Sequence, residues 1–181
     1  RLAAQEFPQA RIEVVDSQNL STGIGLLVMR AVDFAAEGLD IHALAEKVRA
    51  MVPKVETEFI IDTLDYLHKG GRCSGVARFV GSMLKIRPSI KVVDGGMVPA
   101  QKFRGSRAKA LQGLLDAALA EKDNISPERI FVTHSISDDG PFLQEELRKH
   151  TDAKEIIISR AGCVIASHCG PNTIGILFIK K

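Results

Sequence analysis

The stretch "RAGCVIASHCGPNTIGILFI", residues 160–179, decides how this chain is read. A near-continuous apolar run is broken by Ser167-His168-Cys169-Gly170-Pro171-Asn172 and then resumes. Gly170-Pro171 ends the helical turn "AGCVIASH", and "TIGILFIK" (173–180) has the length and β-branched content of a buried strand. The imidazole between them has two readings. It is a core histidine hydrogen-bonded to backbone in a turn, or it holds an acidic head group whose tail lies among apolar walls. A carboxylate buried with its hydrocarbon must be hydrogen-bonded, or its desolvation is prohibitive.

Working back from residue 160, "KEIIISR" (154–160) and "RIFVTHS" (129–135) read as strands, with a helix between them in "GPFLQEELRKH" (140–150). Residues 106–122 carry Ala108, Leu111, Leu115 and Leu119 on one helical stripe. "RPSIKVVDGGMVPAQKFRG" (87–105) predicts a hairpin turning at Asp94-Gly95-Gly96, and residues 74–85 a helix. Further back come a strand at 55–62, a helical turn closed by Gly70-Gly71, and a helix capped by Asp40 and ended by Pro53. Residues 24–36 predict a helix buried on most of its faces, with Ser21 or Thr22 as its cap, and "RIEVV" (11–15) predicts a strand. The alternation of strand and helix predicts an α/β layer fold. The opening "RLAAQEFP" reads as the last turns of a helix stopped by Pro8, so a preceding N-terminal part is expected.

At 181 residues and 45% apolar composition, the chain can bury one core or two small ones. A net charge of +2, no Trp and one Tyr supply neither the field nor the stacking platforms for nucleic acid. Cysteines at 73, 163 and 169 fit reduced thiols in a cytoplasmic protein. No signal-peptide pattern and no run of about 18 apolar residues appear in the sequence.

Three further stretches carry candidate chemistry. In "HKGGRCSG" (68–75), two glycines and Arg72 suit an anion cradle, although the pattern is not a P-loop; a helix C-cap explains the glycines equally well. Lys85, Arg87, Lys91, Lys102, Arg104, Arg107 and Lys109 form either a solvated hairpin edge or an anion or partner surface. In "DSQNLSTGIG" (16–25), Ser17, Ser21 and Thr22 offer hydroxyls, with helix capping as the plain alternative. Cys163, His168 and Cys169 lack zinc spacing, and no cofactor is implied. A small phospho-ligand enzyme, a phosphotransferase or phosphatase using these Gly-rich loops, is the alternative; it would draw metal-binding carboxylates from Asp62, Asp65 and Asp94. A regulatory DNA-binding protein would need a basic helix, whereas the amphipathic helices here carry mixed charge.

"VVDSQNLSTGIG", "LDYLHKGGR", "LKIRPSIKVVDGGMVPAQKFR" and "SHCGPNTIGILF" together resemble the DegV family, in its order and approximate spacing. These are bacterial fatty-acid-binding proteins that include the FakB subunits of fatty acid kinase. The resemblance covers essentially the whole chain and implies a C-terminal two-thirds of such a protein. It implies two α/β domains, divided here as 1–68 (the remainder of an N-terminal domain) and 69–181 (a mixed sheet with flanking helices). It also implies a long-chain fatty acid in an apolar tunnel, its carboxylate presented to a separate FakA-like ATP-dependent kinase. The protein itself would be a binding subunit rather than an enzyme, with transient membrane contact and no nucleic acid partner. His168 matches the family histidine before Gly-Pro, Arg72 the arginine of Gly-Gly-Arg, and Arg104 an arginine near the head-group end. Ser21, Cys169 and Gly170 complete the implied ligand-binding set. Two positions depart from the family pattern: Cys169 stands where a hydroxyl is usual, and Asn172 where a glycine is.

Overall fold

The computed structural model describes residues 2–72 and 86–181. In chain order the elements are α1 (Leu2–Gln5), α2 (Thr22–Ala36), α3 (Ile41–Met51), β1 (Val55–Ile60), α4 (Asp65–Lys69), β2 (Ile86–Val93) and β3 (Gly96–Arg104). They continue with α5 (Arg107–Leu119), β4 (Ile125–Ser135), α6 (Gly140–His150), β5 (Glu155–Arg160), α7 (Cys163–Cys169) and β6 (Thr173–Lys180). Among the described residues, six strands form one mixed sheet in the order β3-β2-β1-β6-β4-β5, and only the β4–β5 pair is parallel. This is the mixed α/β fold the sequence implies. The sheet takes strands from both sides of the 68/69 division, because β1 pairs with β2 on one edge and β6 on the other.

Each strand sends alternate residues to opposite faces. Ile174, Ile176 and Phe178 of β6 join Ile130 and Val132 of β4 and Ile60 of β1 under α5 and α6, where Leu114, Leu143 and Leu147 are fully buried. On the other face, Leu177, Ile179 and Phe131 pack under α2 and α3 through Leu26, Leu27, Phe34 and Val48. Next to that cluster on the same face, Phe59, Ile61, Ile90 and Val92 pack with Leu67 of α4 and Cys169 of α7. Burying one such Leu, Ile or Phe side chain contributes about 1.5–3 kcal/mol.

Local signals set the connections. Asp94 (φ 49°) and Gly95 (φ 77°) form the two-residue hairpin loop, and Val93 pairs directly with Gly96. Both loop residues need the left-handed region, which Asp-Gly tolerates. Gly96 is therefore the first residue of β3, not part of the turn. The Asp40 carboxylate caps α3 by accepting from the His42 and Ala43 N–H groups.

Three expectations change. Residues 11–15 form no strand, because no neighbouring strand lies beside them among the described residues and a strand needs a ladder partner. Glu13 is held instead by side chains, accepting from Arg49 Nη2 at 2.5 Å and meeting His42 Nδ1 at 2.6 Å. The helix at 24–36 is not buried on most faces. Ile24, Val28 and Val32 form an exposed stripe, because the sheet covers only the side carrying Leu26, Leu27 and Phe34. Ser21 occupies the cap position of α2 at φ 51°, but its side chain makes no capping hydrogen bond. The helix expected at 74–85 lies outside the described residues.

An ion pair pins α2 to β4, the strand beside the β5 edge. Arg129 donates from Nη1 and Nη2 to the two carboxylate oxygens of Asp33, at 2.6 and 3.1 Å. That double hydrogen bond is the main cause holding the Asp33 carboxyl below its ordinary range, against a desolvation penalty in the other direction. A depressed carboxyl stabilises the fold above its unfolded-state value of about 3.9 and loses that contribution as pH falls through the lower folded value. Asp33→Asn should therefore cost about 1–2 kcal/mol at pH 7. The gap from wild type should shrink as pH falls below the unfolded-state value of about 3.9, read in urea titrations across pH.

Candidate functional site

One sheet face is covered by two helix pairs, α2 with α3 and α4 with α7. Between the two pairs lies a small hollow of about 30 Å³, partly open to solvent. Its floor is built from three adjacent strands. Gly175 of β6 stands in register between Phe59 of β1 and Thr133 of β4, and Thr173 stands beside Ser135. Its walls come from Leu20 and Ser21 before α2 and from Ile165 and Cys169 of α7. Gly175 has no room for a side chain: a methyl there would stand 2.7 Å from Phe59 Cβ and 2.9 Å from the Glu58 carbonyl oxygen.

The three threonine hydroxyls of the floor are engaged within the protein. Thr57 Oγ1 donates to Asn19 Oδ1 at 2.9 Å, Thr173 Oγ1 donates to the Cys169 carbonyl at 2.9 Å, and Thr133 shares a short hydrogen bond with Thr22. Burial pushes the Cys169 thiol up to about 11, so the sulfur stays protonated and behaves as a small apolar group. The surface offered to a guest is therefore mostly hydrocarbon, although several lining residues are nominally polar.

The chain enters β6 through a turn beside this hollow. Gly170 has φ 78° and ψ 177°, and Asn172 takes the left-handed region at φ 59°, which asparagine accepts more readily than most residues. The Asn172 N–H donates to the Ile136 carbonyl at 3.1 Å and ties the turn to the end of β4. His168 is half-buried at the end of α7. Its Nδ1 lies 2.8 Å from the Val164 carbonyl oxygen. A carbonyl only accepts, so Nδ1 carries a proton, and Nε2 of the neutral ring is a lone pair.

The helix C-terminus at Gly70 lies under this imidazole. A methyl on Gly70 would stand 2.3 Å from His168 Cδ2 and 3.0 Å from Nε2. The Gly-Gly-Arg segment and the histidine turn are thus in contact. Arg72 follows two residues later with an exposed side chain, its N–H donating to the Leu67 carbonyl at 2.8 Å.

Of the residues singled out from sequence, Ser21 and Cys169 line the hollow. His168 and Gly170 flank Cys169 in the chain but are not on the wall, and neither are Arg72 and Arg104. Arg104 is exposed at the end of β3. The basic series divides on inspection: Arg87 donates to Asp62 Oδ1 at 2.8 Å, Arg107 reaches Asp62, Asp139 and Ser137, and Lys91 pairs with Glu56 and Glu58. Asp62, a metal-ligand candidate in the phospho-enzyme reading, is thus committed to two guanidinium groups. Sequence reasoning missed Thr57, Thr133, Ser135, Thr173 and Gly175. Their signal was present in "VTHS" and "TIG", where small or hydroxyl residues two apart occupy one face of an otherwise aliphatic strand.

Two outcomes follow from this geometry. Iodoacetamide at pH 8 should modify exposed Cys163 and leave buried Cys169 unmodified in the native protein, read by peptide mass spectrometry. Gly70→Ala should displace the imidazole and change the His168 ring signals in an NMR spectrum, while a tolerated methyl with unchanged signals would contradict the contact.

The family profile described as an uncharacterised protein of the DegV family matches residues 1–181. A DegV domain-containing protein of Caldanaerobacter subterraneus is 32% identical over 183 residues, covering 99% of this chain and 64% of its own length. A fatty-acid-binding DegV family protein from Thermus thermophilus superposes with a TM-score of 0.90 at 32% identity, over 99% of this chain and 64% of that one. The Fak B3 protein of Streptococcus pneumoniae fatty acid kinase, loaded with linoleic acid, shares the fold at a TM-score of 0.83 and 24% identity, again over 99% and 64%. The chain thus spans somewhat under two-thirds of the proteins it matches, and it belongs to the DegV family.

Proposed function

We propose that this chain is the acyl-binding part of a fatty-acid carrier. The first methylenes of a long-chain fatty acid sit in the hollow over Gly175, and its carboxyl group lies toward His168, with Arg72 and Arg104 supplying positive charge. The observation that carries this reading is a hydrocarbon-walled hollow bounded by Cys169, whose neighbour His168 is packed against the Gly-Gly-Arg segment. The fatty acid bound by the Thermus thermophilus protein supports the same ligand class. Each buried methylene contributes about 0.8 kcal/mol, so an alkyl chain provides the affinity and the head group fixes the orientation.

The protein acts as a binding subunit in the cytoplasm and presents the carboxyl group to a separate FakA-like ATP-dependent kinase, which forms the acyl-phosphate. The exposed guanidinium groups of Arg72 and Arg104 suit the added charge of that product or the docking of the kinase. No cofactor is required for binding alone.

The tautomer of His168 gives the proposal a distinctive signature. With Nδ1–H donated to Val164, Nε2 can meet a head group only across one shared proton, as imidazolium with carboxylate or as imidazole with carboxylic acid. A neutral ring facing a carboxylate would set lone pair against lone pair. His168→Ala should weaken cis-parinaric acid binding roughly tenfold in the full-length protein. Wild-type affinity in the variant would remove His168 from the site.

A further inference from the structure

We propose that Tyr66 is a positioning residue for His168, acting through Gly170. Its functional meaning rests on the fatty-acid reading above, but the geometry stands by itself. Helix α4 has five residues and α7 has seven, too few for either to hold its place by backbone hydrogen bonding alone. Leu67 and Cys169 anchor them in one buried cluster. Outside that cluster, each helix ends in a glycine that lies under a ring from the other. His168 of α7 rests on Gly70, and Tyr66 of α4 rests on Gly170.

The second contact is as close as the first. A methyl on Gly170 would stand 2.4 Å from Tyr66 Cδ2 and 2.6 Å from Cε2. At φ 78° and ψ 177°, Gly170 adopts a backbone conformation that essentially only glycine visits, and it is where the chain turns from α7 toward β6. The Tyr66 ring closes over that point. Removing the ring uncovers the turn and lets the end of α7 shift, and the imidazole two residues earlier shifts with it. The same short helix holds the Arg72 N–H through the Leu67 carbonyl, so one interlock sets both the arginine segment and the histidine. The role belongs to the ring and not to the hydroxyl.

Tyr66→Phe and Tyr66→Ala in the full-length protein test this. The readouts are cis-parinaric acid affinity, thermal midpoint and the long-range nitrogen–proton NMR pattern of the His168 imidazole recorded without ligand. Tyr66→Phe should match wild type in all three. Tyr66→Ala should weaken the probe roughly tenfold and convert the pure Nδ1–H pattern of neutral His168 into a tautomer mixture. An unchanged imidazole pattern in a folded Tyr66→Ala variant overturns the proposal, as does a Tyr66→Phe variant as impaired as Tyr66→Ala. If wild type does not bind the probe, the fatty-acid reading fails. The ligand-free imidazole pattern then decides the role of Tyr66, with a mixture supporting it and an unchanged pattern overturning it.

Discussion

Strand β6 is hydrogen-bonded along both edges and covered by helices on both faces, so its residues from Ile174 to Ile179 are almost wholly removed from water. A strand in that position cannot alternate apolar with polar residues; it must be apolar throughout. Both layers of helix then depend on it. The α5 and α6 layer packs on Ile174, Ile176 and Phe178, and the α2 and α3 layer packs on Leu177 and Ile179. The residues just before the strand must therefore deliver it into the sheet in one register. A one-residue slip would exchange the two faces and present Gly175 where Ile176 is needed.

The constraint on the turn explains why an imidazole sits between two buried segments. Entry into a central strand leaves little freedom for the preceding chain. Gly170, Pro171 and Asn172 make the change of direction, and the Asn172 N–H fixes it to the end of β4. Helix α7 is too short to reach across the sheet, so α4 supports it. Two residues at the α7 C-terminus are thereby held at different depths, with Cys169 buried in the core and His168 half-exposed beside Gly70. One side chain faces the hydrocarbon interior and its neighbour reaches the solvent boundary. That is the arrangement an amphiphilic guest requires.

Much of this was legible in the sequence, and the failures have a common cause. Strands and helices whose partners lie within the chain were placed closely: β5, β6, α6 and the Asp-Gly hairpin all follow from periodicity and turn chemistry. Residues 11–15 have the composition of a strand but no partner beside them, and pairing is not a property of a segment. The exposed stripe of Ile24, Val28 and Val32 shows the same limit, because hydropathy records what could be buried and not what covers it. Among the candidate residues, His168 stood out because it interrupts an apolar run. Gly175 and Thr133 did not, because each is unremarked within its own strand. They become a floor only when β1, β6 and β4 are set side by side in register.

The same assembly decides the character of the hollow. By residue type, a floor containing Thr57, Thr133 and Thr173 suggests a polar ligand. Their hydroxyls, however, are engaged by Asn19, Thr22 and the Cys169 carbonyl, and a guest would have to break those hydrogen bonds to gain its own. Such an exchange returns little, since the free energy of forming one bond is offset by leaving a buried group unpaired. An alkyl chain makes no such demand and gains from every methylene it removes from water. Polar capacity also lies outside the hollow, at His168 Nε2 and the exposed guanidinium groups of Arg72 and Arg104. On the fatty-acid reading, ligand selection follows less from the residue types that line the space than from which of them have already spent their hydrogen bonds.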